Sequence, residues 1–383
     1  VTAPNAVQPP WSVRLWQYSD APTRGWTTRL FSDTDVQGIA DNEAVGPYRI
    51  ALVDVPSDHQ PGQLCPVLEL ASWFRDPGDE VSASDSAGWT GLSIHQEITA
   101  MLSLIFGVRL RGDDPVIHRD NGGTVTSYHP SARTLPSAPM SPWASPIIPA
   151  LPDTSADIAS ARRYLESLPG LAPQHAVDLV RAARQYADAL WIAEGEPELA
   201  WLMLVSAVEV AATSHHVATA DYAQLVTSSF PLAAEALVEQ GGKELLQQAA
   251  DTEFAGLIKA TGRFLAFARM FRPDPPEPRT ADQLAQLPWS RRGMEGALKK
   301  VYDYRSARLH AGAPFPWPLL IPPPVASDGL PAERFTNGPY GSGDTTWSAE
   351  ELPMTLAIFA QLVRGLLLRW WSTMADGASA LTA

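Results

Sequence analysis

Between residues 130 and 152 the chain reads PSARTLPSAPMSPWASPIIPALP, a run with seven prolines. Proline donates no backbone hydrogen bond and fixes φ, so this stretch can continue neither a helix interior nor a central strand. It separates two parts of different periodicity. The expected fold class is an α+β N-terminal domain over residues 1–129, a Pro-rich linker over 130–152 and an all-α helical bundle over 153–383. A length of 383 residues is what two ordinary domains require.

Before the linker, WSVRLWQYS, YRIALVDVP and PVLELASWF are short runs of β-branched and aromatic residues bounded by turn formers, the marks of strands. One helix is predicted among them. Ser93 with Gln96 three residues on forms a capping box for IHQEITAMLSLIF, and Gly107 supplies the stop. After the linker the apolar spacing changes to 3.6 residues. In HAVDLVRAARQYADALWIAEG, Val177, Val180, Ala187 and Leu190 or Trp191 share a face, while Asp178, Arg181, Gln185 and Asp188 take another, predicting an amphipathic outer helix.

Next, PELAWLMLVSAVEVAATS has Pro197 in its first turn and is apolar nearly all round, as a central buried helix should be. Its polar exceptions, Ser206, Glu209 and Thr213, fall on one thin stripe that must face something polar. Residues 222–250 give only a weak helical signal around Pro231 and the glycine pair 241–242. A longer helix over about 251–271 carries Phe254, Ile258, Thr261, Leu265 and Ala268 on one side, and RPDPPEPR ends it. The final helix, LAIFAQLVRGLLLRWW, is interrupted by Arg364 and Arg369 and reads as buried in protein rather than in a bilayer. Ser348 with Glu351 is its expected cap.

Composition narrows the function classes. Lys+Arg 28 against Asp+Glu 42 gives a net charge of −14, which excludes a surface broadly adapted to nucleic acid and leaves room only for a local basic groove. The lone Cys65 excludes an intramolecular disulfide and a cysteine-based zinc site. VTAPNAVQPPW has neither a basic nor an apolar signal region, so a cytoplasmic location is expected.

The unusual chemistry lies in KKVYDYRSARLHAGAPFPWP. On a helix, Met294, Leu298, Val301, Arg305 and Leu309 form one core-facing stripe with an arginine where a leucine belongs. A bland account lets the arginine stem pack while its head snorkels to water. His310 follows five residues later, roughly 140° round the helix, so the two side chains do not share a narrow face. Glu209 is either a solvent-reaching or structurally paired acid, or the group that orients Arg305. Between Arg291 and His310 the bases Arg291, Arg292, Lys299, Lys300, Arg305 and Arg308 outnumber the acids Glu295 and Asp303, a local reversal of sign that fits phosphate contact.

The pattern R-x-x-x-x-H, here RSARLH followed by AG near the end of the fourth main helix, resembles the HEPN superfamily. LVSAVEV together with VYDYRSARLHAG is most similar to its Apea-like branch, over roughly residues 171–377. The resemblance implies a HEPN-like bundle that dimerises through the helical domain, placing two copies of Arg305 and His310 in one cleft that cuts RNA without metal or cofactor. It also implies a toxin-like or antiviral effector; a non-catalytic sensor or assembly module of the same fold is the alternative, and an unrelated structural helical protein a third reading. Tyr304, Ser306 and Arg308 would support the site, and Arg291, Arg292, Lys299 and Lys300 would contact RNA. Catalytic relatives often carry Asn, Asp or His where this chain has Ser306.

Physical logic agrees with that assignment. RNA carries its own nucleophile in the 2′-hydroxyl, so cleavage needs a proton carrier near neutrality and a cation for the phosphate. Histidine, ordinarily titrating at about pH 6.5, suits the first role. Arginine, permanently charged and forked, suits the second.

Other motifs carry less. HRDN at 118–121 echoes a kinase catalytic loop but lacks the companion motifs, and is read as a turn. His215 and His216 are adjacent and diverge on a helix, and Ser206 has no G-x-S-x-G context. The N-terminal domain shows no motif that names its partner.

Overall fold

The computed structural model describes residues 7–20, 22–32, 44–56, 64–75, 88–113, 115–119, 140–149, 158–215, 223, 226–227, 230–251, 255–336 and 338–382. A small sheet region comes first and a mostly helical part follows. In the first, β1 (Arg24–Phe31), β2 (Tyr48–Pro56), β3 (Leu64–Phe74), β4 (Arg111–Gly112) and β5 (Val116–Arg119) form an antiparallel sheet of order β2-β3-β1-β4, with β5 also paired to β1. Alternation explains its inner face: Trp26, Thr28 and Leu30 of β1 are buried beside Leu68 and Leu70 of β3 and Ile50 of β2.

Two sequence expectations change here, and one strand was not foreseen. WSVRLWQYS is not a strand: it forms α1 (Trp11–Arg14) and a 3-10 turn, Leu15–Tyr18. Pro10 begins the turn, its carbonyl accepting from the amides of Val13 and Arg14, and the Arg14 guanidinium lies 4.0 Å from the Trp11 ring centroid. That i, i+3 contact exists only on a helical turn, and it overrides the β preference of the tryptophans. Conversely, RGWTTRLF forms the central strand β1. His118 and Arg119 end β5 rather than make a turn, while Asp120 and Asn121 lie outside the described residues.

The helix α2 (Ile94–Phe106) has the predicted capping box, and Gly107 closes it at φ 72°, a left-handed conformation natural to glycine. The buried carboxyl of Glu97 fastens α1 to α2: Oε2 accepts from Ser12 N at 3.0 Å and Oε1 from Thr90 Oγ1 at 2.5 Å, and burial raises its pKa.

The second part comprises α3 (Ile158–Ser167), α4 (Pro173–Ile192), α5 (Pro197–Ser214), α6 (Pro231–Asp251), α7 (Ala255–Met270), α8 (Arg291–Ala311) and α9 (Leu356–Thr382), with a small hairpin of β6 (Tyr340–Ser342) and β7 (Thr345–Trp347) before α9. The open segment 222–250 thus contains α6, kinked at Gly241 and Gly242. The helix α4 is not an outer helix. It lies between α2 and α5 and also meets α9, so Ala176, Leu179, Ala182 and Ala183 are buried as well as Val177 and Val180.

Trp201 of α5 is stacked between Phe315 and Phe359, with ring centroids 5.9 and 4.8 Å away. Among the described side chains of α7, Phe264, Phe267 and Ala268 are buried and Leu265 is only partly covered, because the aromatic rings pack toward Tyr302 and Trp370. The side chains of Phe254 and Ile258 lie outside the described residues. Ser348 does pair with Glu351, at 2.8 and 2.9 Å, but this closes a turn upstream; α9 starts at Leu356, behind Thr355. One buried cluster runs from Val13 to Trp371 through both parts of the chain. No described helix is long and apolar enough to cross a membrane.

Candidate functional site

The elements that form the site are α5 and α8. Ser290 caps α8, its hydroxyl accepting from Gly293 N at 3.2 Å, and Gly312 ends it at φ 67°. Met294, Leu298 and Val301 are buried as predicted, and Arg305 follows on the same stripe, where it meets the polar stripe of α5. Arg305 Nη2 donates to Glu209 Oε2 at 2.8 Å, and the Tyr302 hydroxyl donates to the other oxygen, Oε1, at 2.9 Å. The Arg305 guanidinium carbon lies 5.4 Å from the Tyr302 ring centroid. With 18% of its side chain exposed, Arg305 is drawn onto Glu209 rather than snorkelling into water.

Both oxygens of Glu209 are therefore occupied, and Tyr302 fixes the carboxylate's orientation. Burial, then the charge and hydrogen bond of Glu209, push the Tyr302 pKa up to about 12, so its hydroxyl remains a neutral donor at ordinary pH. Phe264 of α7 packs against the Tyr302 ring, centroid to centroid 5.2 Å. Arg305 Nε is buried without a hydrogen-bond partner, and Nη1 has none among the described residues. The guanidinium is thus positioned by three helices while its donors are only partly used.

A second pair joins the same helices further along. Arg308 Nε lies 2.8 Å from Glu198 Oε2, an ion pair whose N–H points off the carboxylate, while Glu198 Oε1 accepts from Phe315 N at 2.8 Å. His310 is exposed in the last turn of α8, and its ring has no partner among the described residues. Helix geometry separates it from Arg305 by roughly 140° and about 7.5 Å of rise, so one chain does not aim both groups at one point.

Leu309 departs from the expected stripe: it is 53% exposed, because no described neighbour covers the end of α8. Leu199 on α5 is 44% exposed, and Leu202, Met203, Ser206 and Val210 are only partly buried, leaving this face of α5 incompletely covered.

The remaining candidate residues are dispersed. Tyr304 donates to Glu351 O at 3.0 Å and packs against Phe315, so it holds the following loop. Ser306 is partly buried and has no described polar partner. Lys299 pairs with Asp303 at 3.0 Å, and Lys300 donates to the carbonyl of Glu350. Arg291 and Arg292 are exposed and unpaired among the described residues, about 20 Å along the helix from Arg305. His215 lies against Phe271 and Met270, burial lowers its pKa, and His216 lies outside the described residues.

Tyr302 is the residue the sequence reading missed. Its signal was present: it precedes Arg305 by three positions, which puts the two on adjacent turns of one face. No group of three or more possible metal ligands occurs among the described residues. The chain matches no family model, curated protein or solved structure.

Proposed function

We propose that the chain is a HEPN-type, metal-independent endoribonuclease that acts as a two-fold homodimer through its helical part. The observation that carries this reading is the half-buried Arg305, oriented by Glu209 and Tyr302, with a terminal nitrogen unassigned and His310 exposed beyond it. A half-buried ion pair is an inefficient way to stabilise a helix interface, since packed hydrocarbon serves as well or better. Retaining one on an apolar stripe fits a group kept for chemistry. Arg305 would bind the scissile phosphate, His310 would carry the proton, and the 2′-oxygen would attack.

An isologous pair brings the second Arg305 and His310 to the same cleft. The exposed Leu199 and Leu309, on the two helices that carry the site, supply apolar surface for such a contact. A sensor or assembly module of the same fold is the second reading, favoured by the angular separation of Arg305 and His310 within one chain.

The test is incubation of the pure protein with total RNA in EDTA. Cleavage should persist and leave 2′,3′-cyclic phosphate and 5′-hydroxyl ends, and Arg305→Leu should lower the rate by about 10² to 10³. Leucine suits the stripe, but Glu209 would lose its cation, so Arg305→Leu with Glu209→Gln is the control for folding. Cleavage abolished by EDTA and restored by magnesium, or full activity in Arg305→Leu, defeats the proposal. Light scattering should give twice the 41.4 kDa chain mass. A monomer that still cleaves RNA would remove the shared cleft.

A further inference from the structure

A cavity of about 210 Å3 lies where the end of α2, the segment around Pro149, α4, the proline-rich turn at 273–277 and α9 meet. Its walls differ in chemistry. Ile148, Leu190, Pro276 and Trp289 form an apolar side. The Trp289 indole N–H is already committed to Pro273 O at 2.9 Å, so the ring is fixed and has no donor left to offer.

Tyr186, Gln361 and Arg364 supply the polar side. Arg364 Nε donates to Leu104 O at 3.0 Å and Nη2 to Ile105 O, two carbonyls in the last turn of α2, and Nη1 has no described partner. These acceptors are neutral, so no described acid is paired with this cation. Arg109, the other arginine of the lining, is neutralised by Glu194 at 2.7 Å. The Tyr186 hydroxyl has no described partner although the residue is 2% exposed, and Gln361 Oε1 is buried without one. Burial drives the Tyr186 pKa up to about 12 against the opposing effect of Arg364 and Arg109, so this hydroxyl stays protonated and can donate.

Unpaired polar groups in a cavity of mixed polar and apolar lining are costly when empty of partners, and they define what relieves the cost. The geometry points to a binding site for a small apolar monocarboxylate, its carboxylate on Arg364 Nη1 and the Tyr186 hydroxyl and its hydrocarbon against Ile148, Leu190 and Trp289. Gln361 contributes through its Nε2 donor alone, since its buried Oε1 is an acceptor that a carboxylate does not satisfy. Asp274 is paired with Arg369, but Glu277 has no described partner and places a negative charge in the lining, which disfavours dianions such as phosphate. The elements around the cavity pack closely at two glycines: a Cβ on Gly365 would come within 2.5 Å of Pro273, and one on Gly107 within 2.8 Å of Arg364. A ligand here would bridge the end of α2 to α4 and α9, and so join the N-terminal part to the helical part. This site is independent of the one at Arg305.

Calorimetric titration of the full chain with benzoate, phenylacetate and 4-methylpentanoate, beside the neutral phenylacetamide and inorganic phosphate, tests the assignment. At least one monocarboxylate should bind at about 10 mM or below, and the amide and phosphate at least about 10-fold more weakly, as loss of a charge-assisted hydrogen bond implies. Arg364→Gln should weaken binding about 10-fold or more. Because Arg364 also holds the end of α2, Tyr186→Phe, which removes one oxygen, and Ala360→Leu, which fills the cavity, are the controls, with circular dichroism confirming their fold. Both should weaken the same ligand about 10-fold or more. No binding by any of the three acids, equal binding of acid and amide, or binding indifferent to Tyr186→Phe and Ala360→Leu overturns the proposal.

Discussion

His310→Ala is expected to slow RNA cleavage by about 10² to 10⁴ while leaving the fold intact, the loss typical of removing a general acid or base. The two readouts separate cleanly at this position. His310 is exposed in the last turn of α8 and contacts no described polar group, so deletion beyond Cβ breaks nothing in the core. Alanine favours helix, so the substitution itself costs α8 little. The change in thermal midpoint should therefore be small, whereas the initial rate on RNA should fall by at least two decades. A rate unchanged within about two-fold removes His310 from the mechanism and leaves the non-catalytic reading of the fold.

Arg305 and Glu209 were legible because each is an exception, Arg305 on the apolar stripe of α8 and Glu209 on the nearly all-apolar α5. An unpaired charge at such a position costs several kcal/mol, so one exception implies a partner, and the other exception is the partner. Tyr302 was harder to see. In sequence it reads as an aromatic beside the stripe, and only the position of Glu209 shows that its hydroxyl, not its ring alone, has a task. Leu309 failed for a related reason. A 3.6-residue repeat gives the direction of a side chain, not whether a neighbouring helix extends far enough to cover it.

The same limit applies to α4, whose one polar face suggested solvent until α2 arrived from the other part of the chain. The change from sheet to helix needed no such knowledge, since the proline-rich run lies between an alternating pattern and a helical one. Within it, however, Ile147 is 1% exposed, which no local feature announced. Its burial depends on an acid 47 residues later.

That acid is Glu194, and Glu194→Ala should weaken the docking of the proline-rich segment by about 3 to 5 kcal/mol, the cost of breaking a buried ion pair from one side. Its side chain is 4% exposed and accepts from Arg109 Nη2 at 2.7 Å, Ile147 N at 2.8 Å and Ile148 N at 3.2 Å. Alanine would strand a buried guanidinium, which retains the carbonyl of Leu190, and the backbone donors of Ile147 and Ile148. Arg109→Met tests the origin of the cost. If Glu194→Ala is damaging because it leaves Arg109 unpaired, Glu194→Ala with Arg109→Met should be less destabilised than the sum of the single changes. Glu194→Gln, which keeps an acceptor for the backbone, should fall between wild type and alanine. Urea unfolding followed by tryptophan fluorescence gives the order, and limited proteolysis within 140–149 shows whether the loss begins where Glu194 holds the chain. Equal urea midpoints together with equal cleavage would mean that the segment is held by its apolar contacts alone and that this carboxylate contributes no net stability.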